Sequence, residues 1–251
     1  MNPQRIVSVV PSQTELLFDL GLNEEIIGIT KFCVHPANKV NHKTRVGGTK
    51  TLNINQIYAL KPDLILANKE ENTRAQIEEL QQQYAVHVTD MTTLTDALTM
   101  IRNVGDLVGK SPQAQTLAQQ IETNFSITDL SVQSSPTVAY FIWRNPYMVA
   151  ANDTFIHAML EVAGFQNAFA NRTRYPEITA DDLQAARPDL IFLSSEPYPF
   201  SEKHIAEFRG ICPSAINRVV DGEMFSWYGS RLLQASDYFK NLRNEIFRHN
   251  L

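Results

Sequence analysis

The first apolar run, "RIVSVVP" (5–11), is β-branched and stops at Pro11, the pattern of a buried strand. Ser12-Gln13-Thr14-Glu15 follows with the spacing of a capping box, so a helix is predicted whose inner stripe is Leu16, Leu17 and Leu20 and which Gly21 stops. "IIGIT" (26–30) reads as a strand, and Asn53–Leu60 as a short helix with an Asn53/Gln56 cap. "DLILA" (63–67) is a third strand, followed by a helix over 72–83, the strand "AVHVT" (85–89) and a helix over 93–108. Such alternation predicts a mostly parallel sheet covered by helices on both faces. Ser111-Pro112 places a cap before proline at the first helical position and opens a helix through about Phe125, which the polar "TDLSVQSSP" (128–136) closes.

The pattern then restarts. "TVAYFIW" (137–143) is a strand, a helix over 153–163 ends at Gly164, and a Thr179/Asp182 cap precedes the strand "PDLIFLS" (188–194). A strand centred on "RVVDG" (218–222) and a helix from about Ser230 to Arg248 complete the chain. Pro62-Asp63-Leu64-Ile65 recurs as Pro188-Asp189-Leu190-Ile191, an offset of 126, and the same offset carries Glu70 onto Glu196. Gly21 and Gly164 are instead 143 apart, so the first half holds about seventeen extra residues, the "KFCVHPANKVNHKTRVGGTK" stretch (31–50). Insertions of this size in α/β lobes usually serve a site rather than a core. Short helix–strand phrases also recur by chance in α/β proteins, and that alternative stays open here. The expected organisation is an α/β lobe over 1–110, a connector helix over 111–128 and a second α/β lobe over 129–251.

Composition narrows the partners. The 251 residues, 43% hydrophobic and 20% charged, suit a soluble globular protein, and the net charge of −5 leaves no basic footprint for nucleic acid. No apolar run approaches the roughly 18 residues of a membrane span. "MNPQRIVSVV" reads as neither signal peptide nor lipid anchor, so the expectation from these residues is a cytoplasmic chain or a mature form given a new Met. Cys33 and Cys212 are too few for a disulfide framework and are compatible with free thiols or one bridge. No nucleophile elbow, Walker motif, dinucleotide fingerprint or His-Glu-x-x-His is present, which argues against an enzyme.

"RIVSVVPSQTELLFDLGL", "GGTKTLNINQIYALKPDLIL", the Ser111–Phe125 helix and "RPDLIFLS" together resemble the class III periplasmic binding proteins with a helical backbone, and are most similar to their cobalamin- and ferric-siderophore-binding branch. The resemblance implies two lobes facing each other across a cleft and joined by one long helix. It implies a non-enzymatic protein of an ABC-type uptake system that binds a corrinoid, haem, a ferric chelate or a metal ion, with no obligatory cofactor. It also implies a periplasmic location, and a permease whose arginines receive one acidic residue from each lobe. Glu70 and Glu196 match those positions, with Glu71 beside the first. The alternative for all three is solvated surface charge.

Candidate ligand contacts lie in loops at strand ends. "WRNPYM" supplies Trp143, Arg144 and Tyr147; "FSWYGSR" supplies Trp227, Tyr228 and Arg231; "RTRYPEIT" adds Arg172 and Tyr175. Aromatic faces suit a tetrapyrrole or other planar chelate, and arginines suit its carboxylates or phosphate. Alternatively the two tryptophans seal the core. "KFCVHP" offers Lys31, Phe32, Cys33 and His35. Cys33 and His35 could ligate a metal, or His35 could be an axial ligand to a bound chelate, while a buried thiol and a hydrogen-bonded imidazole are the plainer reading. Ser12, Gln13 and Thr14 open a helix whose free amides attract anionic groups, and Gly47-Gly48-Thr49 could admit a ligand close to the backbone. Two other readings remain: a cytoplasmic enzyme or chaperone acting on a metal cofactor through Cys33 and His35, and a bare metal-ion carrier drawing on His35, His42, His87, His157, His204 and His249. His157, inside a helix, reads as structural.

Overall fold

The computed structural model describes residues 2–127 and 135–248, so His249 and most of the "TDLSVQSSP" segment lie outside the described residues. The chain forms two compact units. Unit 1 runs through Met91, includes Thr95–Glu122 and also takes in Trp227–Leu232; unit 2 holds Thr92–Leu94, the chain from Thr123 to Ser226 and the chain from Leu233 onward. This differs from the expected boundaries in two places that matter. The 111–127 helix belongs to unit 1 up to Glu122 and to unit 2 from Thr123, and a six-residue piece of the C-terminal half belongs to unit 1.

Unit 1 contains β1 (Ile6–Ser8), α1 (Pro11–Asp19), β2 (Ile26–Ile29), α2 (Ala37–Val40), β3 (Thr44–Arg45), α3 (Ile54–Leu60), β4 (Leu64–Asn68), α4 (Arg74–Gln81), β5 (Val86–Thr89) and the greater part of α5 (Leu94–Leu107) and of α6 (Ser111–Ile127). Its sheet has the order β3-β2-β1-β4-β5, with every neighbouring pair parallel. β1 and β4 are buried along their whole length, as parallel strands covered on both faces must be. The extra stretch over 31–50 is partly structural, because it contains α2 and the edge strand β3. The predicted Ser12–Glu15 capping box does not form. The helix starts two residues earlier at Pro11, which presets the first helical φ and leaves Val10 as a cap without a side-chain hydrogen bond.

Unit 2 contains β6 (Thr137–Trp143), β7 (Tyr147–Val149), α7 (Phe155–Val162), β8 (Gln166–Asn167), β9 (Glu177–Ile178), α8 (Ala180–Ala186), β10 (Leu190–Ser194), α9 (Ile205–Ile211), β11 (Ile216–Val220), α10 (Gly222–Ser226) and α11 (Leu232–Arg248), with a 3₁₀ turn over Glu202–His204. Its sheet runs β11-β10-β6-β7-β9, with β8 also beside β6. The β11, β10, β6 and β8 pairings are parallel, whereas β7 turns back on β6 and pairs antiparallel with it and with β9. The short β7, β8 and β9 and the helices α9 and α10 carry too little periodicity to be read from sequence.

The recurrent phrase has a structural cause. Lys61 (φ 47°) and Arg187 (φ 46°) end α3 and α8 in the left-handed conformation, each followed by a proline that cannot continue a helix. The Asp63 carboxylate then accepts from the backbone amides of Gln4 (2.8 Å) and Arg5 (3.1 Å), just ahead of β1. Asp189, 126 positions on, accepts from the amide and hydroxyl of Thr137 at the start of β6, both at 2.8 Å. Each aspartate thus pins the entry of the central strand beside it. The helix starts match as well: Asn53 accepts from the Gln56 amide and Thr179 from that of Asp182. α1 and α7 close with the same pair of turns, Leu22 to Leu17 and Gly21 to Phe18 in one, Phe165 to Leu160 and Gly164 to Glu161 in the other. The units are therefore two copies of one plan.

Both cysteines are free and buried, in different units. Among the described residues no helix is long and apolar enough to cross a membrane. If the aspartates have the same task, Asp63→Ala and Asp189→Ala should each lower stability by about 1–2 kcal/mol. Denaturant unfolding of each variant checks this, and markedly unequal losses would break the equivalence.

Candidate functional site

In unit 1 the candidate residues gather around the start of α1. Ser12 Oγ and Gln13 Oε1 are buried with no hydrogen-bond partner among the described residues. Gln13 Nε2 donates to Thr89 Oγ1 at 2.5 Å, and the Thr89 hydroxyl spends its own proton on the Ala67 carbonyl at 3.0 Å. That chain fixes the amide orientation and leaves Gln13 presenting a carbonyl oxygen, an acceptor.

The Trp227–Leu232 segment lies against the same helix. Arg231 donates through Nη2 and Nε to the two carboxylate oxygens of Glu15 (2.6 and 3.1 Å), with 9% and 11% of the two side chains exposed. The guanidinium also stacks 5.3 Å from the Trp227 ring centre, and His35 meets Trp227 edge-on at 5.5 Å. Tyr228 donates to Glu71 and Ser230 to Asp19. A Cβ on Gly229 would stand 2.7 Å from the Ser12 carbonyl oxygen, so only glycine permits this approach. Every residue of Trp-Tyr-Gly-Ser-Arg is thus committed within unit 1. That departs from the expected open loop on the second lobe: Trp227 is 6% exposed and Arg231 is already matched by a carboxylate. Burial raises the Glu15 pKa above its ordinary value of 4.5, and Arg231 pulls against that rise.

The 31–35 loop divides its residues. Lys31 and Phe32 are exposed, with the Lys31 ammonium 5.0 Å from the Phe32 ring centre. Cys33 is fully buried, its sulfur 3.2 Å from the hydroxyls of Thr14 and Thr30, and burial pushes its thiol pKa up. A packed thiol between two hydroxyls is the plainer of the two readings of Cys33, that of a core side chain. Among the described residues no group of three or more His, Cys, Asp or Glu side chains could hold a metal ion, so the bare-ion reading has no ligand set there. Gly47 (φ 100°) is required by its own turn, since a Cβ would meet the Thr51 carbonyl oxygen at 2.4 Å.

In unit 2, Trp143 ends β6 with 40% of its surface exposed. Its indole N–H donates to the Asn145 carbonyl (3.1 Å), and Tyr198 packs edge-on against it at 5.6 Å. Arg144 reaches Glu207 at 2.9 Å, and Tyr147 donates to the same carboxylate at 2.5 Å. Burial first, and then the Glu207 bond and charge, push the Tyr147 pKa up to about 12, so it remains a donor. Glu207 on α9 therefore holds both arms of the turn that carries Trp143. Neither Glu207 nor Tyr198 was among the candidate residues of the sequence, although Tyr198 lies in the distinctive phrase "SSEPYPF" (194–200). Arg172 is drawn into the α8 cap, 2.5 Å from Asp182 and over the Phe169 ring, while half-buried Tyr175 packs under Arg174.

The rim carboxylates occupy equivalent places at the ends of β4 and β10. Asn68 Oδ1 accepts from the amides of Glu70 (2.8 Å) and Glu71 (3.0 Å), and Ser194 Oγ, 126 positions later, accepts from that of Glu196 (3.4 Å). Ser226 donates to the Glu196 carboxylate at 2.7 Å.

Removing Arg231 should expose how much unit 1 depends on the buried pair. Arg231→Met strands the Glu15 charge and should cost about 3–5 kcal/mol, most of it recovered by adding Glu15→Leu. A carboxyl with a raised folded-state pKa is penalised above that pKa and unpenalised below its unfolded value. The loss in the single variant should therefore be larger at about pH 8 than at about pH 5 in denaturant unfolding.

Residues 6–210 match the family model described as "Periplasmic binding protein". An ABC transporter substrate-binding lipoprotein of Bacillus subtilis (strain 168) is 26% identical over 203 residues, 76% of this chain; the chain spans 63% of that relative's length. A vitamin B12-binding protein of Vibrio parahaemolyticus is 22% identical over 195 residues, 76% of this chain and 70% of the relative. Among solved structures, the periplasmic heme-binding protein RhuT from Roseiflexus sp. RS-1 superposes with a TM-score of 0.82 at 21% identity, covering 95% of this chain and 98% of that one. The vitamin B12-binding protein BtuF of Vibrio cholerae gives 0.81 at 20%, covering 96% and 98%. The duplicated α/β plan and the matched residues agree: this chain belongs to the periplasmic binding protein family, whose members bind ligands rather than transform them.

Proposed function

We propose that this chain captures a metal chelate, of the corrinoid, haem or ferric-siderophore kind, outside the cytoplasmic membrane and delivers it to an ABC-type permease. The observation that carries this reading is Trp143, a large aromatic surface left 40% exposed at a strand end while its turn is clamped from behind. An exposed ring held rigid is suited to stacking on a planar macrocycle at little entropic cost. Strand ends are also where open α/β sheets take ligands. Relatives named for vitamin B12, heme and Fe3+-hydroxamate support the ligand class.

In this reading Trp143 and Tyr198 form the aromatic platform of unit 2, and Tyr147 stiffens it. Ser12, Gln13, Lys31 and Phe32 are the candidate ligand contacts of unit 1 itself, and Tyr175 is a further candidate on unit 2. His35, half-buried against Trp227, is the side chain to test as an axial ligand. Glu70 and Glu196 are assigned to the permease arginines, because their matched positions present one carboxylate per unit for charge-assisted pairing. Glu71 is given instead to Tyr228.

Absorbance titration with a cobalamin, haem and a ferric hydroxamate, read alongside thermal unfolding, tests the proposal. At least one should shift the spectrum and raise the midpoint, and Trp143→Ala should weaken that ligand about tenfold, or ~1.4 kcal/mol. Indifference to all three would sink the reading.

A further inference from the structure

The 31–50 stretch of unit 1 carries five cations, Lys31, Lys39, Lys43, Arg45 and Lys50, and no Asp or Glu lies between Glu25 and Asp63. In a chain whose net charge is −5 this is a local reversal of sign. The fold gathers these cations. Arg45 donates to the carbonyls of Thr30 (2.8 Å), Cys33 (2.9 Å) and Val40 (3.2 Å), so one guanidinium draws the 30–33 turn and the end of α2 together. Lys39 and Lys43, four positions apart, lie over the same Phe18 ring at 5.5 and 6.0 Å. Lys43 also donates to the Asn23 carbonyl at 2.7 Å, and Lys50 to the Glu70 carbonyl at 2.5 Å. Among the described residues none of the five forms an ion pair. Their partners are neutral carbonyls and rings, so the positive charge stays uncancelled.

The second observation is apolar. Cys33 is held inward by the Thr14 and Thr30 hydroxyls, and its two neighbours point out: Phe32 is 50% exposed and Val34 47%. They are the two most exposed large apolar side chains among the described residues. An acidic protein loop or a nucleic-acid backbone would use the cations and leave Phe32 and Val34 in water. A bilayer with anionic headgroups uses both, with the cations at the phosphates and the apolar side chains in the interface.

We infer that the 31–50 stretch is a membrane-docking surface, on which unit 1 rests against a bilayer containing anionic phospholipid. With only two apolar side chains to bury, the attachment is reversible and mostly electrostatic. It keeps the chain beside the membrane that holds the permease of the reading above. The surface itself does not depend on that reading, because no chelate enters its test. Lys31 and Phe32 are also candidate ligand contacts, so the variants fall on Val34, Lys39 and Lys43, which are not.

The test is flotation of the whole chain with vesicles of phosphatidylcholine alone and with vesicles of phosphatidylcholine and phosphatidylglycerol in equal parts. Wild-type protein should float with the second kind only, and the attachment should weaken at least about tenfold between about 0.01 M and about 0.15 M salt, as screening shortens the reach of the charges. Lys39→Gln combined with Lys43→Gln should weaken it about twentyfold, on the scale of about fivefold for each cation at an anionic surface. Val34→Ser should weaken it about threefold and leave the salt dependence unchanged. Amine labelling of wild-type protein should show Lys31, Lys39, Lys43 and Lys50 protected by the anionic vesicles in preference to the other lysines. Equal attachment to both kinds of vesicle, attachment to neither, or attachment without that protection overturns the inference. So does an oligonucleotide bound as tightly as the anionic vesicles with Val34→Ser without effect, which would make the surface a general polyanion site. The salt series and the labelling require no variant, so a variant that does not fold leaves the test decisive. Failure here leaves the chelate reading intact, and failure of the chelate titrations leaves this surface intact.

Discussion

The buried ion pair between Glu15 and Arg231 is the constraint on which unit 1 turns. It joins residues 216 positions apart and draws a six-residue piece of the C-terminal half onto the first helix. Taking two charges out of water is expensive, and the pair holds because its geometry is bidentate and an indole face covers the guanidinium. Such a pair contributes little net stability over an apolar substitute. What it specifies is placement. With Arg231 fixed, Trp227 packs against His35, Tyr228 reaches Glu71, and Gly229 brings the backbone onto Ser12. The start of α1, with its two incompletely satisfied oxygens, is thereby walled by residues from both ends of the chain.

The same economy appears in the duplicated plan. Each copy places a left-handed cap, a proline and an aspartate before its central strand, and the aspartate grips the entry of the strand beside it. These features are legible in a sequence because they are local and their residue types are restricted. Proline excludes a further helical turn, and a cap needs a short acceptor side chain. That is why the two α/β lobes and nearly all the long elements could be read from the chain. The short β7, β8 and β9 could not, since strands of two or three residues exist only through their neighbours.

The site was legible in its residues and not in their roles. Sequence shows that Arg144, Arg172 and Arg231 are cations near strand ends; it does not show that each is met by a carboxylate 63, 10 or 216 positions away. Ser12 and Glu15 fit the spacing of a capping box, yet Pro11 moved the helix start by two residues and freed Glu15 for Arg231. Cys33 and His35 sit two apart in one loop, but the core takes the thiol and leaves the imidazole half-buried. In each case a long-range partner, invisible along the chain, decided what the side chain does.

A helix N-terminus carries roughly half a positive charge, which favours an anionic group at the first turn of α1. That field is weak beside a full arginine and fades within a turn. It also welcomes the partial charge of an amide carbonyl as readily as it does an anion. Within unit 1 the Arg231 cation is already matched to Glu15. What remains unsatisfied at the helix start is an acceptor on Gln13 and a hydroxyl on Ser12, both of which an N–H can answer.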